Sequence, residues 1–305
     1  LSTKRILIVG GAGFVGRRLA AHLAAAGHRL DILVRRTTLE PIEGAVVHAG
    51  GLENVELLRH LLPQVDAVFH VASATTPGVS RAAPSLEASL NIAPTLRLLE
   101  MMQDAPGTRL VYMSSGGTVY GDPASPQVGE AAPLRPLSYY GAGKVAIETF
   151  IGACAHAFGI PATVLRPSNL YGPGQPRYLG FGVVRSMLQH VIDGSTMEIW
   201  GDGRIVRDFL YIDDLVAAFD AVLTHPDPSG TFNVGSGDGC SLNELVEIVQ
   251  RASGRPLPVR HLPARTIDVQ SIVLDCSAIR ARLGWRPRVD LADGIARTWS
   301  WLSTR

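Results

Sequence analysis

The stretch Ile6-Leu7-Ile8-Val9-Gly10-Gly11-Ala12-Gly13-Phe14-Val15-Gly16 decides the fold of this 305-residue chain. Its first four residues are apolar and mostly β-branched, which reads as a buried strand. Glycines at 10, 13 and 16 follow at once. Leu19 and Leu23 then share one face of a helix that runs from Gly13 to about Ala26, with Gly27 as its stop. Strand, glycine turn and helix in this order form a specific surface: the turn is tight, the backbone lacks Cβ atoms, and free N–H groups at the helix start face an anion. The stretch predicts a dinucleotide-binding turn, with Gly10, Gly13, Phe14, Val15 and Gly16 against the pyrophosphate.

Outward from this turn, short β-branched or leucine runs alternate with longer amphipathic stretches, the pattern of βαβ units on a parallel sheet. Strands are expected at Ile6–Val9, Leu30–Val34, Ala45–His48, Ala67–Val71, Leu110–Met113 and Ala162–Leu165, with long helices over Ser85–Gln103 and Tyr139–Phe158. After Asn169 the rhythm breaks into a Gly/Pro/Tyr-rich segment, followed by a helix over about Phe181–Ile192, one opened by Asp213 and Asp214, one opened by Ser241, and a last one ending at Trp301. The fold class is therefore α/β: a Rossmann-like doubly wound parallel sheet with a smaller C-terminal α/β substrate lobe. Residues 1–170 would form the dinucleotide domain, with a later segment of about 204–224 returning to it, and residues 171–305 mainly the lobe.

Composition narrows the class of partner. Hydrophobic residues make up 46% and charged ones 18%, and 28 basic against 27 acidic residues leave a net charge of +1. No basic block offers a nucleic-acid surface, and no apolar run reaches membrane-spanning length. Cys154, Cys240 and Cys276 are far apart, without metal-ligand spacing, and read as reduced thiols of a cytoplasmic protein. No metal site is expected.

Two further patterns bear on chemistry. Tyr140 and Lys144 lie four apart on one predicted helix, so their side chains share a face. An ammonium beside the phenol favours phenolate, which would move Tyr140 towards proton transfer near neutrality. Tyr139 has Gly143 four residues on and cannot form the same pair. At the end of the second strand, Val34 stands where an NAD site usually carries an acid, and Arg35 and Arg36 follow. The cofactor is NADP or NAD, and the two guanidinium groups point to a 2′-phosphate.

With these residues in place the chain resembles the extended short-chain dehydrogenase/reductase family, in its NAD(P)-dependent sugar epimerase/dehydratase branch. The likeness runs through the Gly10/Gly13/Gly16 loop, His70-Val71-Ala72, Asn91, Ser114-Ser115 with Val119-Tyr120-Gly121, Tyr140/Lys144, Leu165-Arg166-Pro167-Ser168-Asn169, Gly201-Asp202-Gly203, Arg207-Asp208-Phe209, Phe232-Asn233-Val234-Gly235, Arg265 with Asp268, and Leu283-Gly284-Trp285. It implies that Val71, Ala72, Asn91, Ser114 and Pro167 join the cofactor site, that Asn169, Arg207, Arg265 and Asp268 face a nucleotide-diphosphate sugar, and that the helices from Ser85 and Tyr139 pair in a homodimer. The activity it implies is C4 epimerisation of a UDP- or dTDP-hexose through a transient 4-keto intermediate, of the kind used in polysaccharide biosynthesis. An NADPH-dependent keto-sugar or other carbonyl reductase is the alternative, and a non-catalytic dinucleotide sensor would be expected to lack the tyrosine and lysine.

The chain departs from the family pattern at three places. Gly116 stands where relatives carry the Ser or Thr that binds the reacting oxygen, so Thr118 is the favoured substitute and Ser115 the other. Gly51 replaces an aspartate near the adenine, and Val34 the acid noted above. Gly117 and Thr118 occupy the Asp-Glu places of the dehydratases, which disfavours dehydration. The cysteine of the GDP-fucose epimerase-reductases is absent at Thr118, which disfavours that class too.

Overall fold

The computed structural model describes residues 2–35, 44–81, 83–125, 127–177, 182–264 and 269–304. Its central sheet has seven strands: β1 (Arg5–Val9), β2 (Arg29–Val34), β3 (Ala45–Ala49), β4 (Ala67–His70), β5 (Arg109–Met113), β6 (Ala162–Pro167) and β7 (Gly230–Val234). All pair in parallel, in the order β7-β6-β5-β4-β1-β2-β3. The chain order reverses between β1 and β4, and the crevice beyond the carboxyl ends of these two strands is where such sheets take their ligands.

Side chains alternate across the sheet and both faces are covered. Ile6 and Ile8 enter one apolar layer, with Leu19 and Leu23 of the helix Phe14–Ala25 and Leu215, Phe219 and Val222 of the helix Ile212–Thr224. Leu7 and Val9 enter the other, with Leu98 and Met102 of Ala93–Met102 and Ile147 and Ile151 of Tyr139–Phe158. The helix Ile212–Thr224 thus packs on the central sheet, where Phe219 seats on Phe69 of β4 with ring centroids 5.2 Å apart.

Two features differ from the sequence expectation. β7 joins the central sheet as a seventh strand, pairing Thr231 with Val164 and Asn233 with Arg166, although residues 230–234 fall in the span assigned to the lobe. The expected single helix over 85–103 is an α-turn at Ser85–Glu87, a π-turn at Ala88–Ile92 and an α-helix at Ala93–Met102. Pro94, in the first turn of that last piece, has no N–H to continue the ladder backwards, which accounts for the break in register. By contrast the helix Tyr139–Phe158 has the expected bounds, opened by the Ser138 hydroxyl accepting from Gly141 N at 3.1 Å and closed by Gly159 at φ +68°.

The second lobe is built on the strand Val206–Tyr211, which pairs with Gly239–Ser241, Ser271–Leu274 and Asn169–Tyr171. Its helices are Val183–Asp193, Leu242–Ser253 and Leu291–Ser303, the second opened by a full capping box between Ser241 and Glu244. Among the described residues no helix is long and apolar enough to cross a membrane.

A buried ion pair fastens the helix Tyr139–Phe158 to the sheet. Arg166 at the end of β6 and Glu148 of the helix are 5% and 9% exposed. Arg166 Nη2 donates to Glu148 Oε2 at 2.6 Å, and its Nε reaches both carboxylate oxygens at 3.1 and 3.2 Å. The Ser114 hydroxyl donates to the same carboxylate from the end of β5. On its far side Arg166 Nη1 donates to the Tyr120 hydroxyl at 2.9 Å, which donates to Asn233 Oδ1 of β7 at 2.6 Å. Three adjacent strands and the helix are therefore locked by one set of charge-assisted bonds. Replacing Arg166 by Leu leaves Glu148 charged and unpaired, and is expected to lower unfolding stability by about 3–5 kcal/mol. The double variant Arg166→Leu, Glu148→Leu should recover most of that loss, as measured by urea unfolding.

Candidate active site

The glycine turn shows which of its glycines the protein needs for itself. At Gly10, with φ +94°, a Cβ would lie 2.7 Å from the Ala72 backbone, so the loops after β1 and β4 meet there without room for a side chain. At Gly16 a Cβ would overlap the Gly10 carbonyl, so the helix can approach the turn only with glycine. Gly13 is different: its φ of −75° is ordinary and its Cβ would meet nothing nearer than the Gly10 carbonyl at 3.4 Å. Internal packing does not ask for glycine at 13, whereas close approach of an outside group does. Gly13 is also the N-cap of the helix, with no side chain capping the first N–H groups and no acid in the first turn. Uncapped donors at a helix start, with Cβ-free backbone beside them, fit a pyrophosphate.

On the rim of this cleft, Val71 and Ala72 follow β4, and Val71 N donates to Val9 O at 3.0 Å. β2 ends at buried Val34, followed by exposed Arg35; Arg36 lies outside the described residues. At Gly51, the place of the relatives' aspartate, a Cβ would overlap the Glu53 carboxylate. Glycine here leaves room for that carboxylate to lie over position 51.

Tyr140 and Lys144, the pair expected from their spacing to carry proton transfer, sit beyond the carboxyl ends of β4 and β5. Tyr140 is half-buried while Tyr139 is 51% exposed, so the helix turns the expected tyrosine inward. Lys144 is 4% exposed; its Nζ donates to Met113 O at 2.9 Å and lies 4.8 Å from the Tyr112 ring centroid and 5.6 Å from that of Tyr140. Burial pulls the Lys144 ammonium down to about 8, against the opposing pull of Glu87 and Glu148. For Tyr140, burial and then Glu87 push the phenol well above its ordinary value, while a hydrogen bond with Ser73 works the other way. The expected drift of Tyr140 towards neutrality is therefore not found in the protein alone: loss of solvation and the Glu87 charge push the phenol up, and the Ser73 hydrogen bond opposes them only in part.

The remaining predicted residues divide by what their polar atoms already hold. The Ser114 hydroxyl belongs to Glu148, and Pro167 is buried at the end of β6. The Asn91 amide is fully engaged: Oδ1 accepts from Ala74 N, and Nδ2 donates to Thr75 Oγ1 and to Glu87 Oε2, each at 2.8 Å. Its place is behind the cleft loop, holding it. The hydroxyl of Thr118 donates to Ser115 O at 3.4 Å, whereas Ser115 makes no side-chain cap bond to the short helix it opens. Gly116 proves to be a packing requirement, since a Cβ there would lie 2.8 Å from Arg166 O and 2.6 Å from Leu274 Cδ1. Asn169 Nδ2 donates to Asp208 O at 2.9 Å, beside Gly117, and Arg207 stands on the lobe strand Val206–Tyr211 with Nη1 donating to Val206 O at 2.8 Å. Arg265 and Asp268 lie outside the described residues. Sequence reasoning missed Ser73, Glu87 and Tyr112; the position of Glu87 four residues before Asn91 was the one available signal.

The two kinds of glycine should separate on substitution. Gly13→Ser places a good N-cap residue in open space, so stability should hold within about 0.5 kcal/mol while dinucleotide binding weakens at least about tenfold, about 1.4 kcal/mol. Gly16→Ala should instead lower stability by about 1–3 kcal/mol through overpacking. Thermal unfolding and calorimetric titration with the dinucleotide would check both.

Comparison with known proteins fits this geometry. Residues 6–235 match the model of the NAD dependent epimerase/dehydratase family. A UDP-glucose 4-epimerase of Mycolicibacterium smegmatis is 33% identical over 308 residues, covering 96% of this chain and 97% of that one. The UDP-glucose 4-epimerase of Thermus thermophilus, solved in complex with NAD, superposes with a TM-score of 0.90 at 30% identity, over 98% of this chain and 99% of that one. That of Thermotoga maritima, solved with UDP-glucose, gives 0.91 at 29% identity over the same shares. The chain belongs to the NAD-dependent epimerase/dehydratase family, within the extended short-chain dehydrogenases/reductases.

Proposed function

We propose that this protein inverts C4 of a UDP- or dTDP-hexose through a transient 4-keto intermediate, with a nicotinamide dinucleotide in the crevice between β1 and β4. The observation that carries this reading is the Tyr140/Lys144 pair at the mouth of that crevice, with glycine and threonine at 117 and 118 in place of any acid for removing water. The UDP-glucose 4-epimerases to which the chain is similar support the same chemistry. A bound nicotinamide supplies the hydride acceptor and donor. The protein's own part is proton transfer and positioning. Tyr140 takes the proton of the C4 hydroxyl and later returns it, and Lys144, fixed by Met113 O below the Tyr140 ring, supplies the positive charge that favours the phenolate. For the hydroxyl missing at Gly116 we assign Ser115, because its Oγ holds no cap bond while that of Thr118 faces a carbonyl.

For the cofactor, the absence of an acid at Val34 and the exposed Arg35 beyond it support NADP over NAD. Buried, free Cys154, Cys240 and Cys276 support a reducing compartment such as the cytoplasm. The exposed Leu90, Phe150 and Phe158, at 43–47%, lie on the two helical segments expected to pair and support a homodimer.

Turnover, cofactor release and oligomeric mass test the reading. UDP-glucose and UDP-galactose should interconvert without added cofactor, NADP should be the mass released on denaturation, and Tyr140→Phe should lower kcat by about 10²–10⁴. Protein that consumes stoichiometric NADPH to reduce a carbonyl would replace the epimerase by the reductase, and release of NAD would remove the NADP assignment. Light scattering should give twice the mass of one chain, falling to one on Phe150→Glu; an unchanged dimer would place the interface elsewhere.

A further inference from the structure

The mechanism leaves one buried acid without a part. Glu87 is 5% exposed and stands at the junction of the α-turn and the π-turn. The Thr75 hydroxyl donates to Oε1 at 2.5 Å and Asn91 Nδ2 to Oε2 at 2.8 Å, while Asn91 also holds Ala74 N and Thr75 Oγ1. Asn91 follows Glu87 by four residues, one turn on along the same segment, so both face the loop after β4. On its other side Glu87 touches the catalytic helix: a Cβ at Gly143 would lie 2.9 Å from Glu87 Oε2, so glycine at 143 lets the carboxylate rest against the turn between Tyr140 and Lys144.

Every charged or titratable group near Lys144 can be named. From its own helix come the Tyr140 ring and Glu148; from β5, the Tyr112 ring and the Met113 carbonyl; from β4, His70; and from the π-turn segment, Glu87. His70 is buried and held neutral, pulled down to about 3 by burial and then by the lysine's charge. Tyr112 is a buried phenol pushed far up by burial. Of the two carboxylates, Glu148 is neutralised by Arg166, whereas the hydrogen-bond partners of Glu87 are an amide and a hydroxyl, with no ion pair among the described residues.

We propose that Glu87 is a positioning residue that acts through Lys144: clamped by Thr75 and Asn91 against Gly143, its negative charge keeps the buried lysine protonated, so that Lys144 retains the positive charge that favours the Tyr140 phenolate. Tyr140 starts the cycle as phenolate, holds the C4 hydroxyl proton as phenol while the keto sugar exists, and is phenolate again once the proton is returned, so a lysine that stays charged serves both halves of the cycle. The proposal rests on Tyr140 and Lys144 being the catalytic pair, and its test is independent of turnover.

The chain has only two lysines, Lys4 and Lys144. Protein grown with lysine labelled at 13Cε therefore shows one resonance from Lys144 and one from Lys4, whose side chain is 39% exposed beside Asp66 and serves as an internal reference. In the wild type Lys144 should titrate near 8. In Glu87→Gln its midpoint should fall by about one pH unit or more, as expected for loss of a nearby opposite charge, with Lys4 unmoved. A Lys144 midpoint equal to that of the wild type would overturn the proposal, since a purely structural role for Glu87 leaves the titration in place. If Glu87→Gln does not fold, Glu87→Asp decides: withdrawal of the charge by one methylene should give a smaller fall of the same sign, and no fall overturns the proposal. A protein that shows the shift yet epimerises no nucleotide sugar would count against the function proposed above and not against this role.

Discussion

A carboxylate and a guanidinium withdrawn from water are costly apart and tolerable only together, and Glu148 and Arg166 are the pair on which this architecture turns. Glu148 is one helical turn beyond Lys144, so fixing it to the end of β6 fixes the rotation of the helix that carries both Tyr140 and Lys144. Ser114 ties the same carboxylate to β5, whose Met113 carbonyl receives the lysine. Tyr120 and Asn233 extend the linkage to β7, where Asn233 N donates to the Glu130 carboxylate at 2.8 Å. The placement of Tyr140 and Lys144 is thus tied to the sheet through the helix that carries them.

Around that anchor the site divides its charges unequally. One acid is neutralised and structural, the other is held by neutral donors and faces the turn between Tyr140 and Lys144. Lys144 sits between them against two aromatic faces and a carbonyl, which replace part of the hydration its burial removes. Arginine in its place would be charged at every accessible pH and could not respond to its neighbours. A lysine whose proton affinity is drawn near the physiological range can.

The parts of this molecule legible in the sequence are those governed by local pattern. Six strands and the helix Tyr139–Phe158 follow from apolar runs, caps and stops, and the glycine turn with its tyrosine and lysine follows from spacing. β7 escaped because Gly230–Val234 is a strand only by pairing with β6, more than sixty residues earlier in the chain. The π-turn escaped because periodicity over 85–103 reads as one helix. Gly116 looked like a lost hydroxyl; the space around it, bounded by Arg166 O and Leu274, shows a backbone that cannot pass any side chain there. The shift of Tyr140 was misjudged because spacing shows a neighbouring charge and hides the loss of solvent.

The placement of the two lysines reaches into practical handling. Lys4 precedes β1 and lies at the amino-terminal edge of the central sheet, while the crevice opens at the carboxyl-terminal edge, and Lys144 is sealed from reagents by its burial. Amine-directed coupling through side chains will therefore join this protein to a solid support by the edge opposite its crevice, presenting every immobilised molecule with its mouth towards the flow.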